Sequence, residues 1–81
     1  MRRLPQVLVN VRVADRQGLD GATAVWRAVE QEEARLGDRG RVLVRPSGTE
    51  ALVRVMVEAQ TEEQARATAD RLAAVVSSEL G

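Results

Sequence analysis

The first part of the chain alternates between hydrophobic and polar positions with a period of two. Valine occupies every second position from Val7 to Val13, and mostly polar residues fill the positions between. Successive side chains of a strand point to opposite faces of a sheet, so this pattern predicts a strand with one valine face. A similar alternation over residues 41–45 and 52–58 predicts a second and a third strand.

Two stretches carry apolar residues at the spacing of an α-helix. The first covers residues 22–36, where Asp20 is the candidate N-cap and Gly37 fits the C-terminal end. The second opens at residues 61–64, which read Thr-Glu-Glu-Gln, a capping-box signature with two acids in the first turn. The apolar face of this second helix is formed by Ala65, Ala69, Leu72, Val76 and Leu80.

These elements predict an α+β fold in the order strand, helix, strand, strand, helix. The sheet should be mostly antiparallel, with the two helices on one face. A chain of 81 residues has the size of one small domain, so residues 1–81 are predicted to form a single domain. The valine faces of the strands should meet the helices, which leaves Arg12, Arg45 and Arg54 pointing to the opposite, helix-free face.

Composition narrows the functions that this chain can have. Basic and acidic residues number 12 each, so the formal net charge is zero, and Trp26 is the only aromatic residue. A neutral chain without an aromatic platform is a poor binder of nucleic acid. The lack of cysteine and histidine excludes thiol catalysis, thiolate metal sites and the commonest general base. Without a long apolar run or a signal-peptide pattern, we expect a cytoplasmic chain that does not enter a membrane.

Residues 45–50, which read Arg-Pro-Ser-Gly-Thr-Glu, form a short loop between the second and third predicted strands. A bidentate guanidinium, hydroxyl groups and closely approachable backbone amides are the groups that bind a phosphate. Gly48 is the loop position expected to need a positive φ. Proline, glycine and hydroxyl residues are also ordinary turn residues, so the alternative is a loop that binds nothing. The predicted phosphate ligands are Arg45, Ser47, Gly48, Thr49 and Arg54.

Other polar or aromatic residues have simpler explanations. Arg12 fits a solvated strand residue better than a ligand, and Trp26 fits the core better than a stacking platform. The acidic run at residues 30–33 is typical of a solvated helix face. Glu50 could brace an arginine or cap the loop amides, since a carboxylate repels a phosphate.

Two stretches closely resemble one known domain. Residues 40–50, Gly-Arg-Val-Leu-Val-Arg-Pro-Ser-Gly-Thr-Glu, and residues 52–58, Leu-Val-Arg-Val-Met-Val-Glu, resemble the C-terminal domain of bacterial phosphoglucosamine mutase, in the phosphohexomutase superfamily. Residues 5–11 resemble the start of that domain. The family usually has proline after the loop glutamate, where this chain has Ala51, so the loop exit lacks the stiffness of a proline.

The resemblance implies a part of an isomerase of amino sugar metabolism. The family interconverts hexosamine 6-phosphate and 1-phosphate, with a phosphoserine, a magnesium ion and a sugar-recognition loop on three earlier domains. Its C-terminal domain grips the phosphate that is not transferred. By this resemblance the chain is a fragment of a four-domain enzyme, and its partners are the phosphosugar and the other three domains. The fragment itself has no catalytic residue, metal ligand or cofactor.

Alone, a chain that holds phosphate but lacks a nucleophile, a metal and an acid–base pair should show no mutase turnover. Two alternatives remain open from the sequence. The chain could be the same domain of a phosphomannomutase or phosphoglucomutase, or a free-standing anion-binding or interaction module that kept the loop.

Overall fold

The computed structural model describes residues 4–14 and 16–81, and the side chains of residues 16 and 17 are not part of that description. The order of elements confirms the predicted α+β fold. In chain order they are β1 (Gln6–Arg12), a 3₁₀-helix (Arg16–Gly21), α1 (Thr23–Leu36), a 3₁₀-turn (Gly37–Arg39), β2 (Arg41–Pro46), β3 (Leu52–Glu58) and α2 (Glu62–Leu80).

The three strands form one antiparallel sheet in the order β1-β3-β2. The hairpin of β2 and β3 confirms that the strands flanking the candidate loop are antiparallel neighbours. Its register places Arg45 directly opposite Arg54, and the register of β1 with β3 places Asn10 on the other side of Arg54.

The core lies between the sheet and the helices, as the valine pattern predicts. On the central strand, Val53, Val55 and Val57 have no exposed surface. Both helices cover this face, because β-branched side chains on a pleated sheet and the apolar stripes of two helices bury each other. The other buried apolar residues are Val7, Val11, Val13, Leu19, Ala22, Val25, Val29, Val42, Val44, Ala59, Ala65, Ala69, Leu72 and Val76.

Two of the three predicted helix-end residues, Gly37 and Thr61, are confirmed. Gly37 ends α1 with φ 66°, a left-handed conformation that glycine adopts without a Cβ penalty. Thr61 caps α2, since its Oγ1 accepts a hydrogen bond from the Gln64 amide at 3.1 Å. The last helix ends at Leu80, where its predicted apolar face ends. The prediction for Asp20 is wrong: Ala22 is the N-cap of α1 and makes no side-chain cap bond, because the preceding 3₁₀-helix runs directly into the helix.

The acidic run on α1 is not wholly solvated, which corrects the prediction for that face. Glu32 is only 7% exposed and accepts two hydrogen bonds from Arg71 of α2, at 2.7 and 3.1 Å. These bonds hold the pKa of Glu32 below its ordinary value against the opposing effect of burial, and they raise the pKa of Arg71. The pair therefore ties the two helices together, and Thr68 accepts a further bond from Arg71 at 3.3 Å.

Trp26 belongs to the core periphery, in agreement with its predicted structural role. It is half-buried against the core, and its Nε1–H donates to the Leu19 carbonyl at 2.9 Å. That bond links α1 to the 3₁₀-helix on the side of the sheet away from the candidate loop residues.

Gly40 marks a close approach between α1 and the sheet. A Cβ at this position would lie 2.6 Å from the Leu36 Cβ and 2.9 Å from the Glu58 carbonyl oxygen.

Neither α1 nor α2, nor any other helix in the described ranges, combines the length and the hydrophobicity that a membrane-spanning helix needs.

Candidate phosphate site

Two arginines face each other across the β2–β3 ladder on the sheet surface that the helices leave uncovered. Arg45 and Arg54 are cross-strand partners and both are exposed. Like charges directly opposite each other in a sheet are destabilising. Among the described residues, neither guanidinium takes part in an ion pair with a carboxylate. The arrangement therefore concentrates uncompensated positive charge at the loop end of the open face.

The loop between these strands is held by hydrogen bonds through Ser47. The Ser47 amide donates to the Leu52 carbonyl at 2.8 Å, which closes the hairpin. The Ser47 Oγ accepts from the amides of Thr49 and Glu50, at 3.5 and 3.3 Å. The Ser47 amide is thus used to close the hairpin. The Ser47 hydroxyl is the group that faces the loop.

The loop exit is fixed by backbone bonds to distant parts of the chain. The Leu52 amide donates to the Glu50 carbonyl at 2.8 Å, an i to i+2 bond that makes a γ-turn centred on Ala51. The Ala51 carbonyl in turn accepts from the Val13 amide at 3.0 Å. The next amide, that of Ala14, donates to the carbonyl of Leu80 at 2.7 Å, so the end of α2 is connected to the loop exit through two residues.

Gly48 does not have the positive φ that the sequence suggested. In the described part of the chain, Gly37 is the glycine with a left-handed backbone, and Gly48 is not among such residues. A Cβ on Gly48 would meet no atom within 4 Å, so the protein itself does not require glycine there. The lack of a side chain leaves the loop tip open from outside, which is the property that an approaching ligand needs.

All five predicted phosphate ligands line one open depression of about 390 Å³. Its remaining lining includes three apolar side chains of the open sheet face, none of which was predicted to belong to a site. These are Leu8, Leu43 and Met56. The strand pattern could have identified them, because they are apolar residues at strand positions that face away from the valine core.

Arg12 and Glu50 lie outside this depression. They line a neighbouring one of about 400 Å³ on the β1 side of the loop. Arg12 is exposed on its strand, as predicted for a solvated residue. Across residues 4–14 and 16–81, no group of three or more acidic side chains could hold a metal ion.

The sequence of residues 8–75 matches the family described as phosphoglucomutase/phosphomannomutase, C-terminal domain. The match covers well over half of the chain and includes most of β1, all of β2 and β3, and most of α2. The chain belongs to this family. The β2–β3 hairpin with its loop therefore lies in a C-terminal domain of the phosphohexomutase type, as the resemblance implied.

Relatives of this chain in bacteria carry the name phosphoglucosamine mutase. The chain is 64% identical to the protein of Saccharopolyspora erythraea over 77 residues, 95% of this chain and 17% of that protein. It is 64% identical to that of Frankia alni over 80 residues and 53% identical to that of Geobacillus kaustophilus over 81 residues, each time about 18% of the longer protein. The chain thus corresponds to less than a fifth of these relatives.

Solved structures with the same fold are mutases of the same superfamily. One is N-acetylphosphoglucosamine mutase from Aspergillus fumigatus in complex with GlcNAc-6P and magnesium, with a TM-score of 0.82 and 31% identity over 96% of this chain and 16% of that one. Another is the product complex of N-acetylglucosamine-phosphate mutase, a member of the alpha-D-phosphohexomutase superfamily. It has a TM-score of 0.78 and 29% identity over 90% of this chain and 15% of that one.

Proposed function

We propose that this chain is the phosphate-gripping domain of a phosphoglucosamine mutase. It holds the phosphate that is not transferred while a longer, four-domain enzyme interconverts glucosamine 6-phosphate and glucosamine 1-phosphate. The observation that carries the proposal is the opposed pair Arg45 and Arg54 beside an open loop, in one depression with Ser47, Gly48 and Thr49. The family relationship and the names of the relatives support it.

The arginine pair has the chemistry that a phosphate dianion requires. Each guanidinium can donate two parallel hydrogen bonds to phosphate oxygens, and such charge-assisted bonds are shorter and stronger than neutral ones. A bound dianion also removes the repulsion between Arg45 and Arg54, which face each other across the ladder. Binding and relief of repulsion therefore favour the same position of the ligand.

The loop supplies the remaining donors. The bonds from the Thr49 and Glu50 amides to the Ser47 Oγ are long, at 3.5 and 3.3 Å. Bonds of that length are weak, so a phosphate oxygen offers these amides a better partner. Gly48 leaves the approach to the loop tip open. The loop is held at both ends by backbone bonds, so the donors are in place before the ligand arrives.

The role of such a grip in catalysis is positioning. Binding energy from a group that does not react can hold the reacting group at the other end of the sugar in the correct geometry. Within the described ranges, no acidic cluster is suited to the magnesium ion that the superfamily uses. The role proposed for Arg45, Arg54 and the loop is to bind and orient the phosphate. The 81-residue chain alone should show no mutase turnover.

Two alternatives can be separated from this proposal. The same domain of a phosphomannomutase or phosphoglucomutase would bind the phosphate equally well, and identities of 53–64% with phosphoglucosamine mutases favour the glucosamine-phosphate enzyme. A free-standing interaction module would make the loop an ordinary turn, and phosphate should then have no effect on the loop at all. A free-standing anion-binding module would bind phosphate as this domain does, so the effect of loop substitutions on the activity of a full-length mutase is what separates it from the proposal.

An NMR titration of the chain with inorganic phosphate tests the proposal. The amides of Gly48 and Thr49 should shift first, with an affinity in the millimolar range (about 4 kcal/mol of binding free energy), because the site is exposed to water and salt. The response should disappear in Arg45→Ala. Shifts that centre on Trp26 or on the α1 surface, with an unchanged loop, would show that the loop is not the anion site.

A further inference from the structure

The open face of the sheet is organised in rows that run across all three strands. Leu8 of β1 pairs with Met56 of β3, and Met56 pairs with Leu43 of β2. We call Leu8, Met56 and Leu43 the apolar row. The next row toward the loop contains the arginine pair. The apolar row therefore borders the charged row along the whole width of the hairpin.

The apolar row is unusual for a surface that faces water. Leu8 is 59% exposed and Leu43 is 42% exposed, and they are the large hydrophobic side chains that the described part of the chain leaves exposed. Single exposed leucines are common, but these two flank a partly buried methionine in one continuous band. The same depression of about 390 Å³ contains this band and the five predicted phosphate ligands.

A depression with a cationic half and an apolar half fits a ligand with an anionic head and a less polar body. The two rows are two residues apart along each strand, which corresponds to roughly 6.6–6.8 Å. A six-membered ring linked to phosphate through one carbon and one oxygen spans a similar distance. With the phosphate over Arg45 and Arg54, such a ring would lie over Leu43 and Met56.

We infer that the apolar row contacts the carbon skeleton of the bound phosphosugar, and that Leu43 and Met56 are specificity-determining residues for an organic phosphate over inorganic phosphate. The inference rests on the proposed function, because it requires the phosphate to bind at the loop. The C–H face of a hexosamine ring is the part that an aliphatic surface can accept, since its hydroxyl and amino groups can stay hydrated at the ring edge. The arginine pair then fixes the phosphate and the apolar row fixes the direction of the sugar.

The shared depression is the reason to assign the row to the ligand. Leu43 lies two residues from Arg45 on β2, and Met56 lies two residues from Arg54 on β3, so each side chain of the row has a phosphate ligand as its neighbour on the same strand and face. Anything that covered the row would lie beside the arginine pair, and desolvating two guanidiniums is costly unless the ligand brings the negative charge, which a phosphosugar does.

The test compares two ligands on the intact chain, inorganic phosphate and glucosamine 6-phosphate, at a pH where both are dianions. Dissociation constants are taken from the Gly48 and Thr49 amide shifts. Glucosamine 6-phosphate should bind about threefold more tightly or better. Intermolecular NOEs should connect its ring protons to the methyl groups of Leu43 and Met56.

Substitution of the row should remove this preference. In Leu43→Thr, an exposed position where a β-branched residue suits the strand, the ratio of the two dissociation constants should fall to nearly one. Met56→Thr should act in the same direction. Gln6→Thr is the matched control, because Gln6 lies on the same open face but does not line the depression. The fold of each variant is checked by its amide spectrum.

The outcomes separate this inference from the function on which it rests. If both ligands shift the loop amides but their ratio is the same in the parent chain and in Leu43→Thr, with no NOE to the row, the inference is wrong and the phosphate site stands. If neither ligand shifts the loop, both are wrong.

Discussion

The two faces of the sheet show opposite uses of the same strand residues. On the face covered by α1 and α2, every strand valine except Val9 is buried, and the ionisable residue that is buried there, Glu32, is paired with Arg71. On the open face, Arg45 and Arg54 oppose each other next to an exposed apolar row, and neither has a carboxylate partner within residues 4–14 and 16–81. The covered face thus buries its apolar side chains and pairs its buried charge within the chain. The open face exposes charged and apolar side chains together, which makes it the surface suited to a ligand.

Two adjacent residues of β3, Arg54 and Val55, lie on opposite faces of the sheet and show the difference in burial between the faces. Val55 is fully buried under the helices, and Arg54, one residue earlier, is exposed on the other side. Because side chains alternate along a strand, a substitution at one of these positions should leave the other face almost unaffected. Substitutions on each face can therefore measure how independent the two faces are.

The largest effect is expected for Arg45→Ala in a full-length phosphoglucosamine mutase that carries this domain. Loss of the proposed bidentate phosphate contact should reduce kcat/KM by the equivalent of about 2–4 kcal/mol of transition-state stabilisation. The thermal midpoint should barely change, because Arg45 lies on the face that contributes nothing to the core.

Arg45→Lys is the control for charge alone. It should recover only part of the activity, since an ammonium keeps the charge but loses the fork geometry. Unchanged catalysis in Arg45→Ala, or a loss that follows unfolding of the domain, would make Arg45 a structural residue.

The next effect concerns the pair Val55→Ala and Arg54→Thr. Val55→Ala should lower the free energy of unfolding by about 2–3 kcal/mol through lost burial and a residual cavity, with phosphate binding by the remaining folded protein unchanged. Arg54→Thr should weaken phosphate binding but keep or slightly raise stability, by up to about 0.5 kcal/mol, because it removes a like-charge pair. Urea unfolding and phosphate titration on both variants give the comparison. Equal loss of stability in the two variants would show that the faces are not independent.

Glu32→Gln should cost an intermediate amount, about 1–2 kcal/mol, since it weakens the charge-assisted bonds to Arg71, which is itself 45% exposed. The folded-state pKa of Glu32 is lowered, chiefly by its hydrogen bonds to Arg71, so its contribution is fully present above the ordinary pKa of a glutamate and is lost as the pH falls through the lowered folded-state pKa. The stability difference between the parent chain and Glu32→Gln should therefore shrink in acid.

Glu33→Gln, at an exposed position of the same helix, is the control for Glu32→Gln. Unfolding curves across the acid range measure both variants. A stability difference that stays constant down to strongly acidic pH would contradict the role given to the Glu32 carboxylate.

The smallest effect is expected at the loop exit, for Ala51→Pro. The γ-turn centred on Ala51 is of the inverse type, because Ala51 does not have a positive φ, and its central φ of about −75° is close to that of proline. The Ala51 amide makes no hydrogen bond among the described residues, so proline removes none. The substitution should stabilise the chain by about 0.4–1 kcal/mol by restricting the unfolded state.

Thermal unfolding of Ala51→Pro, with phosphate titration beside it, tests this interpretation of the loop exit. Destabilisation would mean that the local backbone does not accept a proline at position 51.

The elements and the open face were predictable from the sequence because they depend on local periodicity. The alternation of valines fixes which side of each strand is buried, and that in turn places Arg45 and Arg54 on the same face. The direct opposition of these arginines required the hairpin register, which the loop length sets. Features that depend on distant contacts were missed, above all the burial of Glu32 by Arg71, 39 residues later in the chain.

Other errors have equally physical causes. Asp20 is a strong capping residue by type, but a 3₁₀-helix already occupies its position. Glycine at position 48 suggested a special φ, whereas the glycine with a left-handed backbone is Gly37 and the one with a crowded Cβ position is Gly40. A glycine in the sequence can serve a positive φ, a crowded Cβ position or access for a ligand, and the sequence alone does not distinguish these three reasons.

The bonds that hold the loop exit have a consequence for how this domain can diverge. Val13 to Ala51 and Ala14 to Leu80 are joined through amides and carbonyls, which nearly every amino acid provides. Random substitutions at the exposed positions 14 and 51 should leave the loop anchored, and proline at 14, which has no amide hydrogen, is the exception. A sequence library should therefore accept many residues at position 51 and every residue type except proline at position 14, whereas positions 13 and 80 should stay apolar because Val13 lies in the core and Leu80 packs against it.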